Sequence, residues 1–263
     1  MPLTEFQARL ARLLSRNRSF DSYLAGGSAI LIEPDTKRFS RDLDYFHDSE
    51  ARVAEAFGAD RSLLEDEGYT VEVDLNQPGF VRAIIGKDDQ ATKVEWARDS
   101  AWRFMPTVED ERVGFILHPA DLAINKTLAL AGRDEPRDLL DVLHFHHRVL
   151  GLGALCWAAC GKDPGFTPLS LLELLQRRGR VRAEDLERLD LAEPVDLVAL
   201  KSDWIEALAS VEPFVASRPP DELGCLYYSA RRQRFVDPCD EPDAVPHFGR
   251  PGGVLPRVAN DGP

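Results

Sequence analysis

Cysteine is scarce: four residues in 263, with neither a dense disulfide framework nor the spacing of a zinc ribbon. A reducing compartment, the cytoplasm, is the expectation. Cys156 and Cys160 lie one helical turn apart and read as small core residues. Long apolar runs are also missing. The longest, near Ala154 to Ala159, is far too short for a membrane span. The N-terminus lacks the apolar core and cleavage site of a secretory signal. It reads instead as an amphipathic helix, with Phe6, Leu10, Leu13 and Leu14 at helical spacing. Basic charge falls short of acidic charge, 32 Lys and Arg against 45 Asp and Glu, for a net charge of -13. That argues against charge-driven nucleic-acid binding over the whole surface. Two local clusters remain: Arg177, Arg178, Arg180 and Arg182, then Arg231, Arg232 and Arg234. They read either as solvated helix ends and loops or as a docking surface for a polyanion. No Gly-x-x-x-x-Gly-Lys-Ser/Thr loop occurs, which argues against a P-loop ATPase. There is no internal repeat.

What is present is an ordinary apolar fraction, 44%, enough for a sizeable core. Residues 1–118 mix helix and strand signals and are expected to form an α/β core. The pattern predicts strands over 22–25, 39–46, 69–75, 80–85, 92–96 and 113–117, with helices near the N-terminus, at 28–32 and over 49–67. From Pro119, well placed at the first position of a helix, the character turns helical. Helices are expected over 119–131, from 134, and at 151–160, 168–178, 183–189 and 195–210. Residues 119–215 form this helical region. Residues 216–263 are rich in proline, glycine and charge, and are expected to be an extended tail.

The chemistry concentrates in Arg38-Phe39-Ser40-Arg41-Asp42-Leu43-Asp44-Tyr45-Phe46, preceded by the turn Gly26-Gly27-Ser28. A glycine turn can bring backbone N–H groups against a phosphate. Residues two apart on a strand share a face, so Asp42 and Asp44 can share a hard cation, for which magnesium fits. An exposed polar strand face would show the same pattern. Glu95 lies in the alternating strand Thr92-Lys93-Val94-Glu95-Trp96, with Lys93 on its own face. It can complete the metal site or act as the base for an attacking hydroxyl, or it is simply half of a surface Lys–Glu pair. Further on, Lys126 and Arg133 lie seven apart, and Asp138 and Asp141 three apart. Lys126 suits a triphosphate as a point charge, Arg133 and Arg137 could add phosphate contacts, and Asp138 could fix a basic residue. Intrahelical salt bridges are the plainer reading. His144, His146 and His147 have no partnering carboxylate at zinc-site spacing and read as a partly exposed helix end.

Taken in order, these fragments resemble the AbiEii/AbiGii nucleotidyltransferases, the toxin components of abortive-infection toxin–antitoxin systems. Gly26-Gly27-Ser28 with Arg38-x-Ser40-x-Asp42-Leu43-Asp44-x-Phe46 is similar to the first motif of that family. Lys93-Val94-Glu95 resembles its second, and Lys126, Ala129, Arg133, Arg137-Asp138 and Asp141 its later block. The match covers residues 20–150. The resemblance implies an α+β fold: a polymerase-β-like nucleotidyltransferase mixed sheet with flanking helices, followed by a helical C-terminal region that completes the active site. It implies a metal, Mg2+ or alternatively Mn2+, on Asp42 and Asp44, with Glu95 as a further ligand or base. It implies an NTP held by Gly26, Gly27, Ser28, Arg38, Ser40, Lys126, Arg133 and Arg137, with Lys126 and Asp138 also catalytic. The implied reaction moves NMP from an NTP to a hydroxyl of RNA, tRNA first, with a cognate antitoxin as partner and no membrane. Two alternatives stay open: a small-molecule acceptor such as an aminoglycoside, and a non-catalytic nucleotide-binding module.

Overall fold

A computed structural model describes residues 3–30, 39–40, 42–133 and 135–257. The chain divides into two units. Unit one is Met1–Ala101 with Pro106–His118, and unit two is Trp102–Met105 with Pro119–Pro263.

In unit one, helix α1 (Glu5–Leu14) starts at a capping box. The Thr4 hydroxyl accepts from the Gln7 amide at 3.1 Å, and the Gln7 side chain accepts from the Thr4 amide at 3.0 Å. Then come β1 (Ser22–Ala25), α2 (Gly26–Ile30), β2 (Asp42–His47) and the long helix α3 (Glu50–Asp66). The meander β3 (Thr70–Gln77), β4 (Phe80–Lys87) and β5 (Gln90–Arg98) follows. After β6 (Trp102–Arg103), which belongs to unit two, β7 (Val108–Asp110) and β8 (Gly114–Ile116) return to unit one. The seven strands of unit one make a mixed sheet in the order β3-β4-β5-β2-β1-β8-β7. β2 sits in its interior, antiparallel to β1 and parallel to β5.

Alternation along β2 and β5 gives this sheet two unlike faces. Leu43, Tyr45, Val94 and Trp96 are fully buried on one of them. There Phe57 of α3 meets Trp96 edge-on at 5.1 Å, and the Gln7 amide of α1 donates to the Thr92 hydroxyl at 3.1 Å. The other face carries Asp42 and Asp44 of β2, opposite Lys93 and Glu95 of β5.

In unit two the helices are α4 (Pro119–Gly132), α5 (Pro136–Arg148), α6 (Leu152–Lys162), α7 (Pro168–Arg178), α8 (Ala183–Glu187), α9 (Leu197–Ala209) and α10 (Val211–Ala216). Residues Leu152 to Cys160 of α6 are all buried, as expected of a helix apolar all round. Asp121 of α4 is fully buried and accepts from the backbone of Phe104 at 2.7 Å and of Met105 at 3.0 Å.

The tail departs from the expected extended arm. β9 (Leu226–Ser229) pairs on either side with β10 (Arg234–Phe235) and β11 (Val245–His247), and β12 (Arg250–Pro251) pairs with β6. Leu226, Tyr227 and Phe235 are buried. These short aromatic runs supply enough apolar area to order the segment, although its average composition is that of a linker. Strands β6 and β7 also go unforeseen, because two or three residues show no alternation.

Two buried groups give the units opposite responses to acid. His47 on β2 is fully buried, and neither ring nitrogen has a hydrogen-bond partner among the described residues. Burial first, then the charges of Arg18 and Arg52, pull it down to about 3. Its folded value lies below its unfolded one, so its contribution is present above about pH 6.5 and is lost as pH falls toward 3. Asp121 is pushed up to about 6 by burial, against the pull of its two backbone bonds. Its contribution is complete below its unfolded value near 3.8 and is lost as pH rises through 6. Lowering pH from 7 to 4 should therefore cost β1 and β2 more hydrogen-exchange protection, corrected for intrinsic rates, than α4. Equal losses would refute this assignment.

Candidate active site

Asp42 and Asp44 project from the same face of β2 because they are two residues apart on a strand. Asp42 is buried at 4% exposure, and Asp44 is partly exposed. The loop before β2 fixes Asp42. The Ser40 hydroxyl donates to the Asp42 carbonyl at 2.8 Å and lies 3.3 Å from Oδ1. The Ser40 carbonyl in turn accepts from the Gln7 side chain at 3.2 Å.

Asp44 is set by the turn after β1, through the Ala25–Asp44 pairing of the two strands. The Asp44 amide donates to the Ser28 hydroxyl at 3.3 Å, and that hydroxyl donates to the Ala25 carbonyl at 3.1 Å. Ser28 is fully buried, and its side chain fastens the start of α2, where the sequence suggests a glycine turn, to β2. Gly26 has φ of +61°, and an added Cβ would fall 2.8 Å from Asp44 Cγ and closer still to its Oδ2. Only glycine allows both this conformation and this approach.

Parallel pairing sets Lys93 opposite Asp42 and Glu95 opposite Asp44. Lys93 Nζ lies 3.0 Å from Asp42 Oδ2 and 3.1 Å from Glu95 Oε1. Arg82 of β4, in register with Glu95, donates to the same Oε1 from Nε at 2.8 Å. Burial alone would lower the Lys93 ammonium, but hydrogen bonding and charge from Asp42 and Glu95 outweigh it and hold the ammonium above its ordinary value. Unit one thus gathers Gly26, Gly27, Ser28, Ser40, Asp42, Asp44 and Glu95 around β1, β2 and β5. Arg38 lies outside the described residues. Among those residues, no three His, Cys, Asp or Glu side chains come together as a closed metal site. The donors on this face are two Asp carboxylates of β2, with Glu95 held by two cations.

The unit-two candidates form their own cluster. Lys126 of α4 is buried, with Nζ 3.0 Å from Asp138 Oδ1 and 2.8 Å from Asp141 Oδ2 on α5. Arg133, whose side chain is half exposed, donates to Asp138 Oδ2 from Nε at 2.6 Å. Burial pushes the Asp138 carboxyl up, but Arg133 and Lys126 together hold it below the usual range. Arg137, one-third exposed, lies 4.0 Å from Glu135. The Lys126 ammonium is thus spoken for by two acids, and Arg133 and Arg137 are the more outward cations of the group.

The histidines take structural positions. His147 pairs with Asp203 at 2.9 Å, and His146 Nδ1 accepts from the Leu152 amide at 2.9 Å. Arg231 and Arg232 both engage Glu241, at 2.6 Å each. Sequence reasoning passed over Gln7 and Arg82. A signal for Gln7 existed: it falls on the apolar face of α1, between Phe6 and Leu10, where a polar side chain needs a partner.

The family model for the nucleotidyl transferase AbiEii toxin of type IV TA systems matches residues 9–223. Among solved structures, MenT4 (Rv2826c), a nucleotidyltransferase toxin of Mycobacterium tuberculosis H37Rv, is similar over 82% of this chain and 83% of its own, with TM-score 0.56 and 19% identity. JHP933 from Helicobacter pylori is similar over 82% of this chain and 97% of its own, with TM-score 0.51 and 20% identity. At such identities these structures speak for the fold alone: an α+β arrangement with a mixed sheet and flanking helices. Comparison with curated proteins gives no significant match.

Proposed function

Because the chain belongs to the AbiEii nucleotidyltransferase toxin family, we propose that Asp42 and Asp44 hold a divalent cation beside which NMP passes from an NTP to an RNA hydroxyl. Magnesium is the first choice and manganese the alternative, and tRNA is the leading acceptor. The observation that carries this reading is the placement of both carboxylates on one face of β2, against the Gly26 turn and in register with Lys93 and Glu95. The donor set fits a hard cation, since it offers carboxylate oxygens and no sulfur or imidazole. When bound, the cation would offset the charge that develops on the transferring phosphoryl group.

The chain's own residues do the rest. The acceptor oxygen attacks the α-phosphorus, the bond to the β-phosphate oxygen breaks, and pyrophosphate leaves. The backbone of Gly26, Gly27 and Ser28 is assigned to the leaving phosphates, and Ser40 to the orientation of Asp42. Glu95, steadied by Arg82 and Lys93, is the candidate acceptor for the hydroxyl proton. The family resemblance also assigns Lys126 and Asp138 to the reaction. Within unit two, the buried Lys126 keeps Asp138 and Asp141 together, and Arg133 and Arg137 are the candidates for phosphate contact. A type IV toxin–antitoxin family also implies a cognate antitoxin.

The test is incorporation of each labelled NTP with purified cellular RNA, with tRNA and with aminoglycosides in parallel. Transfer to RNA alone supports the reading. Transfer only to the drugs, or none to any acceptor, sinks it.

Gly26→Ala separates the turn from general stability. The new Cβ must displace the Asp44 carboxylate, so incorporation should fall by about 100-fold, the scale of an ångström-sized misplacement. The left-handed backbone adds about 1–2 kcal/mol of strain. Gly58→Ala in α3, where a Cβ meets nothing within 4 Å, is the control and should leave activity unchanged. Equal activity in both variants would remove the turn from the site.

A further inference from the structure

Lys93 is bound to one oxygen of Asp42, a carboxylate proposed to hold the cation. Its Nζ lies 3.0 Å from Asp42 Oδ2 and 3.1 Å from Glu95 Oε1, bridging two neighbouring parallel strands. This position follows from register, because Lys93 is the residue directly opposite Asp42. The side chain is one-third exposed, whereas that of Asp42 is at 6%. The ammonium therefore has a path outward and the carboxylate does not.

From this geometry we propose that Lys93 is a built-in counter-ion of the metal site, which a divalent cation must displace from Asp42. The inference rests on the proposed role of Asp42 and Asp44 as the carboxylates that hold the cation. Glu95 Oε1 tolerates two monovalent cations, Lys93 and Arg82. A divalent cation on the Asp42 oxygen would bring twice the charge at the shorter distance of a metal–oxygen bond, and would repel the ammonium far more strongly. Binding a metal at Asp42 therefore breaks the Lys93–Asp42 pair, and the ammonium needs another anion.

The local charges indicate what that anion is. Asp42, Asp44, Glu95 and Asp74, which lies 3.7 Å from Arg82, carry four negative charges against the two positive charges of Lys93 and Arg82. A divalent cation neutralises that difference and leaves the displaced ammonium without its Asp42 partner. The triphosphate that accompanies the cation gives the released ammonium a new one. Lys93 thus disfavours metal alone and favours metal together with nucleotide. By linkage, each ligand then raises the affinity for the other. Glu95 remains held by Arg82 when Lys93 leaves, so β5 keeps its anchor to β4.

The test is Mn2+ binding without nucleotide, followed through the electron paramagnetic resonance signal of free Mn2+. Lys93→Met should bind Mn2+ about ten-fold more tightly than wild type, the scale of one lost partly buried ion pair. Lys93→Gln should do the same, and it serves where the Met variant folds poorly. Lys93→Arg keeps the charge and should stay within about two-fold of wild type. Adding Asp42→Ala to Lys93→Met should erase the gain. A merely structural lysine predicts the reverse, weaker Mn2+ binding in both neutral variants. Unchanged or weaker binding in Lys93→Met and Lys93→Gln, with wild-type binding still dependent on Asp42, overturns the counter-ion role and leaves the metal reading standing. No Asp42-dependent binding in any variant overturns both.

Discussion

Asp44→Ala is expected to reduce labelled-NMP incorporation by at least about 10³-fold, close to 4 kcal/mol of transition-state stabilisation. Loss of one well-placed hydrogen-bond donor to a developing anion already costs 10²–10³-fold in enzymes. A carboxylate that holds the cation should count for no less. The fold should survive. Asp44 is partly exposed, and alanine keeps its backbone bond to the Ser28 hydroxyl and its strand pairings with β1 and β5. The variant should melt within a few tenths of a kcal/mol of wild type, as partly exposed substitutions usually do. Asp42→Ala should lose as much activity but also some stability, because Asp42 is buried and partners Lys93 and Ser40. Glu95→Gln should lose less stability than Asp42→Ala, since an amide oxygen can still accept from Arg82, but it removes the proposed proton acceptor and should cut incorporation by about 10²-fold or more. More than a tenth of wild-type incorporation by Asp44→Ala would sink the proposed site.

Alternation made the two faces of β2 legible in the sequence. Residues 42 and 44 had to oppose 43 and 45, and the burial of Leu43 and Tyr45 agrees. The same logic put Lys93 and Glu95 on one face of β5. Neighbouring strands were not legible, because alternation along a strand carries no information about its partner. The parallel pairing of β2 with β5, across an intervening helix and hairpin, is what sets Lys93 against Asp42. Periodicity likewise placed α4 and α5 but not their contacts. Lys126 is held by Asp138 and Asp141 of the next helix, so Asp138 does fix a basic residue, but between helices rather than within one. Gly26 read as part of a turn suited to a phosphate, yet a requirement for glycine also comes from Asp44, eighteen residues later, whose side chain fills the space a Cβ would take. Asp60 had a signal that went unused. It lies on α3 at helical spacing from Val53, Ala56 and Leu64, which are all buried, so it had to be buried with them.

Asp60→Ala should be strongly destabilising, at about 3–5 kcal/mol. Asp60 is completely buried and receives four side-chain hydrogen bonds. Arg18 Nη2 lies 2.6 Å from Oδ1 and 2.5 Å from Oδ2, Asn17 donates to Oδ1 at 2.9 Å, and Trp96 Nε1 donates to Oδ2 at 2.7 Å. Alanine would leave a buried guanidinium and a buried indole N–H without their acceptor, and the uncompensated charge dominates the cost. Against a total stability of about 5–15 kcal/mol, such a loss is large. Asp60→Asn should be milder, because it keeps an acceptor for Trp96. Replacing both charges, as Arg18→Met with Asp60→Leu, should recover most of the loss, since a buried pair yields little net stability over apolar packing. Denaturant melts of the single and double variants give the coupling directly. Additive effects would show that the pair is not a unit. The cluster also supports the strands that carry the candidate site: Arg18 stacks over the Tyr45 ring at 4.5 Å, and Trp96 belongs to β5. Tyr45 adjoins Asp44 and Trp96 adjoins Glu95 on the same strands, with their side chains on the opposite face. The pairing of β2 with β5, which sets Lys93 against Asp42, is thus fixed from behind by Asp60. Incorporation by Asp60→Ala should therefore fall off at a lower temperature than in wild type, in step with its melting curve.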